Sequence, residues 1–221
     1  MDLTVAYTGD VAPGGPPARR ELPHLTITKI SVGPLDNNAY LLRCVDTGDQ
    51  VLVDAADEPA RLLAVVGDDG LTTVVTTHRH PDHWQALSKV LVATGARSVA
   101  HEADAGEIPV VHDTVREGDT IRVGDCDLAV VHLVGHTPGS IALVYRDPEG
   151  SAHVFTGDSL FPGGVGNTRG DEDNFRSLVD DVEHKLFDAL PDDTWVYPGH
   201  GRDTTLGAER PALPEWRARG W

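Results

Sequence analysis

Apolar residues in this chain come in short runs broken by glycine, proline and aspartate, and only a few stretches carry helical spacing. From Leu25, the runs at 25–32, 39–45 and 50–54 have the composition of largely buried strands. Glu58 to Val66 changes to helical spacing, and Thr72 to Thr77 returns to a β-rich run. His83 to Thr94 brings Trp84, Leu87, Val90 and Leu91 near one face of a predicted helix. Short strands are predicted around 97–101, 120–123, 127–134, 140–145 and 152–156. A second helix covers Asp173 to Leu190, is stopped by Pro191, and precedes a strand near 194–197. Upstream, Pro13-Gly14-Gly15-Pro16-Pro17 interrupts any regular element, so residues 1–24 read as an irregular arm and 25–221 as one domain. Many strands with few helices imply an α+β protein in which two sheets pack together beneath outer helices.

Composition narrows the partners. The 221 residues suffice for one well-buried domain. Lys and Arg number 18 against 35 Asp and Glu, and a formal charge of −17 repels phosphate backbones, so no nucleic-acid partner is expected. Anionic small molecules stay open, because bound cations reverse the potential locally. Cys44 and Cys126 are far apart in sequence and read as buried thiols of a reducing compartment. No apolar run approaches the roughly 18 residues of a membrane span. Met1-Asp2-Leu3-Thr4 lacks the basic start and apolar stretch of a secretory signal, so the expected location is cytoplasmic.

The chemistry sits where four predicted strands end. Thr73–Thr77 runs into His78-Arg79-His80-Pro81-Asp82-His83, and Val130–Val134 into Gly135-His136. His153–Thr156 leads to Gly157-Asp158, and Trp195–Tyr197 to Pro198-Gly199-His200. If these ends share one edge of a layered core, His78, His80, Asp82, His83, His136, Asp158 and His200 converge there. Such a cluster needs a cation, since desolvated carboxylates and partly charged imidazoles are otherwise costly. Imidazole and carboxylate without thiolate suit zinc, manganese or iron. A single tetrahedral ion takes about four ligands, so this set is the right size for two ions sharing a carboxylate.

The run His78-Arg79-His80-Pro81-Asp82-His83 resembles the H-x-H-x-D-H signature of the metallo-β-lactamase superfamily. Gly135–Ser140, Thr156–Phe161 and Pro198–Gly201 resemble its later motifs in order, and Val51-Leu52-Val53-Asp54 its early strand. The resemblance implies a four-layer αββα sandwich with the site at one edge of the sheets. It also implies that His78, His80 and His136 hold one metal and Asp82, His83 and His200 a second. Asp158 then bridges them, and Asp54 supports the ligands from behind. Asp158 stands where antibiotic-cleaving members carry cysteine, so antibiotic hydrolysis is not expected, and the set is most similar to glyoxalase II-like hydrolases.

The expected activity is hydrolysis of a small thioester, ester or lactone by a hydroxide bridging two divalent ions, zinc foremost and manganese or iron also suited. Asp82 and Asp158 are the expected catalytic carboxylates. Two alternatives come from other classes: a mononuclear iron persulfide dioxygenase using His78, His136 and Asp158, and a non-enzymatic metal-bound scaffold. Glutathione-cleaving relatives carry a C-terminal helical extension, whereas only Gly201–Trp221 follows His200, so glutathione specificity is not expected. Phe161–Thr168 is read as a pocket wall, with valine and asparagine where relatives carry cysteine and arginine. Trp84 is read as packing on its helix, and Asn37–Tyr40 as a turn into a strand that borders the site. No sequence feature demands an oligomer.

Overall fold

The computed structural model describes residues 5–220, and its main strands form two facing sheets. The first contains β1 (Val5–Ala6), β2 (Ala18–Glu21), β3 (Leu25–Val32), β4 (Asn37–Cys44), β5 (Gln50–Val53), β6 (Thr73–Thr76), β7 (Arg97–His101) and β8 (Asp113–Val115), adjacent in that order. The chain then builds β9 (Thr120–Val123), β10 (Cys126–His132), β11 (Ile141–Arg146) and β12 (Ala152–Gly157). A small ribbon, β13 (Leu160–Phe161) with β14 (Gly164–Val165), precedes β15 (Trp195–Pro198) and β16 (Thr204–Thr205). The second sheet has the order β16-β15-β12-β11-β10-β9. Helices α1 (Pro59–Val66) and α2 (Leu87–Thr94) belong to the first half, and α3 (Glu172–Val182), α4 (Leu206–Glu209) and α5 (Leu213–Arg219) to the second.

Strand alternation sorts the side chains into three apolar layers. In β4, Tyr40 and Leu42 enter the core between the sheets, while Leu41 joins Leu62 of α1 and Leu87 of α2. In β5, Val51 and Val53 face the central core and Leu52 the helices. In β12, Phe155 faces inward, and Val154 packs with Leu178 and Val182 of α3. The layers are therefore helix, sheet, sheet, helix: the αββα sandwich. Sheets buried on both faces explain why these strands read as nearly continuous apolar runs.

The structure adds β8, β13, β14, β16, α4 and α5 to the predicted elements, and three predicted segments differ. Residues 5–24, read as an irregular arm, carry β1 and β2, and Ala18–Glu21 pairs antiparallel with Lys29–Thr26 of β3. The helix predicted from His83 starts at Leu87, because Pro81–His83 forms a single tight turn with the His83 ring tied to Asp54. The helix predicted over 173–190 is α-helical to Val182 and continues as a π-helical turn over Glu183–Phe187.

Topology places the chemistry-bearing ends. β5, β6 and β7 are mutually parallel, so their C-terminal ends share one edge. β10 and β12 are each antiparallel to β11, and β15 is parallel to β12, so all three also end together. Ile141 N donates to Thr77 O at 3.0 Å, and Asn38 N to Gly199 O at 2.8 Å, joining the two sheets at that edge.

Candidate metal centre

At the joined edge, the side chains that follow β6, β10, β12 and β15 converge. His78, His80 and His136 form one group of potential metal-ligating atoms within 4.8 Å of one another. His78, His83 and Asp158 form a second, and Asp82, His83 and His200 a third, so the groups overlap through His78 and His83. His80 Nδ1 lies 2.9 Å from His136 Nε2, and His83 Nε2 lies 3.2 Å from His200 Nε2. Asp158 sits between them, with Oδ1 3.3 Å from His83 Nε2 and Oδ2 3.4 Å from His200 Nε2. Its Oδ2 is also 3.6 Å from His136 Nε2.

Outer hydrogen bonds fix which ring nitrogen faces inward. His136 Nδ1 donates to Asn167 O at 2.9 Å, and His200 Nδ1 to Leu35 O at 2.8 Å. His83 Nδ1 donates to Asp54 Oδ2 at 2.8 Å. Thr77 Oγ1 donates to the same Asp54 oxygen at 2.8 Å, so it accepts from His78 Nδ1 at 3.1 Å. These four rings therefore present Nε2 to the cluster. His80 is reversed: Nδ1 faces inward and Nε2 lies 3.4 Å from Arg169 Nη2. Asp54 itself takes a left-handed backbone, φ 58°, which lets Oδ1 accept from Thr77 N at 2.8 Å.

Two observations fit a cation. His78 Nε2 and Asp158 Oδ1 are buried and hydrogen-bond to nothing among the described residues, although buried polar atoms rarely go unpaired. Gly199 makes the second: a Cβ there would collide with Asp158 Oδ1 and with the His83 ring, so glycine keeps the cradle open. Electrostatics agree in direction. Desolvation would raise the Asp158 pKa, but His83 and the hydrogen bond to His200 hold its carboxyl well below the usual range. A hydrogen bond to His200 leads in holding Asp82 low as well. His200 loses by burial yet is pushed up to about 10 by hydrogen bonds to Asp158 and Asp82. His78, by contrast, is pushed well down by burial and then by the charge of His83. The carboxylates thus draw positive charge to the centre, and His78 is kept as a neutral donor.

Several positioning residues belong to no motif. Asn37 Nδ2 donates to Asp82 Oδ2 at 3.0 Å, so the first residue of β4 reaches the site directly. Buried Asp104 accepts from Arg79 N at 2.9 Å, Thr137 Oγ1 at 2.6 Å and Gly139 N at 2.8 Å, linking the His78–His80 loop to the His136 loop. Lys29 Nζ, paired with Asp203 Oδ1 at 2.7 Å in the core, also donates to Gly201 O at 2.7 Å beside His200. Lys29 is fully buried within β3, and this pairing satisfies its charge there. Trp84 Nε1 donates to Arg79 O at 2.8 Å while its ring packs in the helix layer. His132 stacks on His101 with centroids 3.9 Å apart, and Cys44 and Cys126 are buried free thiols.

Residues 32–200 match the model of the metallo-beta-lactamase superfamily, and the chain belongs to that superfamily. Its His and Asp groups imply divalent metal ions. Among particular relatives, it is 37% identical over 169 residues to a hydroxyacylglutathione hydrolase of Fuscovulum blasticum, covering 75% of this chain and 62% of that one. The chain thus spans less than two thirds of the length of that curated relative. The crystal structure of ETHE1 from Myxococcus xanthus is similar at 32% identity with a TM-score of 0.76, covering 87% of this chain and 84% of the other. A structure of TTHA1623 in a di-iron-bound form is similar at 32% identity and a TM-score of 0.68, covering 82% and 96%.

Proposed function

We propose that the chain is a metal-dependent hydrolase that cleaves a small thioester, ester or lactone using two divalent ions. The carrying observation is the convergence of metal-ligating atoms. His78, His80 and His136 on one side and Asp82, His83 and His200 on the other form complete trios, with Asp158 between them. A pair of ions held there supplies Lewis acidity and lowers the pKa of bound water toward neutrality. The di-iron form of TTHA1623 and the hydroxyacylglutathione hydrolases support the same reading.

The chain's own residues then orient the reactants. His78 and His83 are closed off from solvent, whereas Asp82 and His200 are each 23% exposed, so substrate approaches over the latter pair. Asp82 and Asp158 stay ionised at working pH and accept hydrogen bonds from the attacking water. Asn37 fixes Asp82 Oδ2, and the Phe161 ring, 6.2 Å from that of His200, walls the approach. No serine or cysteine nucleophile is needed.

The likeness to ETHE1 favours testing a second reading, a persulfide dioxygenase with one iron on His78, His136 and Asp158. The complete trio of Asp82, His83 and His200 supports two ions instead. Metal quantification on purified protein, combined with a screen of thioesters, aryl esters and lactones, separates them. The expected result is two metals per chain and ester-type turnover that a chelator abolishes and zinc or manganese restores. One iron per chain with oxygen uptake on a persulfide would overturn the hydrolase.

A further inference from the structure

We infer that Arg169 forms an anion-binding subsite at the mouth of the centre, so that the preferred substrates carry a carboxylate close to the cleaved carbonyl. This rests on the hydrolase reading above. Arg169 Nη2 lies 3.4 Å from His80 Nε2, the outward nitrogen of a ring whose Nδ1 faces the cluster. One imidazole therefore separates the guanidinium from the reacting centre. His80, Asp82, His136, Asp158 and His200 are all partly exposed members of the cluster, and Arg169 is exposed beside His80.

The charge of Arg169 is left available. The protein holds 18 basic against 35 acidic side chains, and most of its arginines pair with a carboxylate, as Arg97 does with Asp113 and Arg210 with Asp192. Arg169 pairs with none among the described residues, and its side chain makes only the contact to His80. The acidic run that follows is directed elsewhere: Asp171 caps α3 at Asn174 N, at 2.9 Å, and Asp173 pairs with Arg176. A planar guanidinium with five donors suits two-point recognition of a carboxylate.

The loop presents this side chain in a fixed way. Asn167 O accepts from His136 Nδ1, and Asn167 Oδ1 accepts from Arg169 N at 2.6 Å. That second bond holds Arg169 at φ 57°, a left-handed conformation uncommon for a long side chain. The loop is thereby anchored on one histidine of the first trio and aims its cation at another.

The test compares two aryl esters of one leaving group, neutral 4-nitrophenyl acetate and anionic mono-4-nitrophenyl glutarate, on metal-loaded protein. Binding of glutarate itself is followed by calorimetry. In Arg169→Gln, the ratio of kcat/KM for the anionic over the neutral ester is expected to fall roughly tenfold to a hundredfold, the value of one charge-assisted hydrogen bond. Glutarate binding should weaken to a similar extent, and Arg169→Lys should recover part of both by keeping the charge without the fork. If Arg169 merely steadies His80, both esters suffer equally and the ratio stays put, which overturns the subsite while leaving the hydrolase reading intact. A wild-type protein that cleaves neither ester, yet loses glutarate binding in Arg169→Gln, would remove the hydrolase reading and keep the anion site.

Discussion

Asp54 shows how much one side chain decides at this centre. Its carboxylate receives Thr77 N, Thr77 Oγ1 and His83 Nδ1, each at 2.8 Å. The first two bonds place the start of the ligand loop, and the third commits the His83 proton to Nδ1. An amide in place of this carboxylate would keep the volume but offer an N–H to at least one of these donors. Asp54→Asn is therefore expected to lower metal affinity tenfold to a hundredfold, about the usual effect of losing a ligand's outer hydrogen bond. Competition with a chromogenic chelator reads it directly. Unchanged affinity would mean that His83 keeps its orientation without Asp54.

Between elements, coupling runs through single polar residues that no local pattern reveals. Asp104 follows β7, yet its three hydrogen bonds end on the loops after β6 and β10, and a Cβ on Gly139 would collide with it. Asp104→Ala leaves Gly139 N buried and unpaired and removes the bonds from Arg79 N and Thr137 Oγ1, which keeps Ser140 Oγ at 2.7 Å, so urea unfolding should show a loss of about 2–4 kcal/mol. Metal binding by His78, His80 and His136 should weaken more than that of the other trio. The contrast with what the sequence carries is physical. The β3 strand, residues 25–32, and the loops holding His78, His136, Asp158 and His200 were legible because apolar period and residue spacing are local properties. Asp104, Arg169 and the Lys29–Asp203 pair were not, because each acquires its meaning from a partner distant in the chain. The strand pairing of Ala18–Glu21 was hidden for another reason: Ala-Arg-Arg-Glu is mostly polar and has no apolar alternation. Helix α2 starts late because the tight turn at Pro81–His83 serves the site, not the helix.

For the molecule as a whole, the seam between the sheets contributes to the acid sensitivity of the fold. His153 on β12 is 1% exposed, stacks on Tyr145 and has Nδ1 2.9 Å from Tyr197 Oη. Burial, with the nearby charge of Arg20, pushes its pKa down to about 4. An unfolded chain returns that imidazole to about 6.5. Between these values the unfolded state binds the extra proton, so stability from neutral His153 is complete above about pH 6.5 and is lost as pH falls toward 4. Thermal melts of metal-free protein should show Tm dropping more steeply from about pH 7 to about pH 5 in wild type than in His153→Gln. The ligand cluster titrates in both proteins, so the difference in slope belongs to His153. Parallel slopes would place the acid sensitivity of the sandwich in its metal-binding edge and not in its centre.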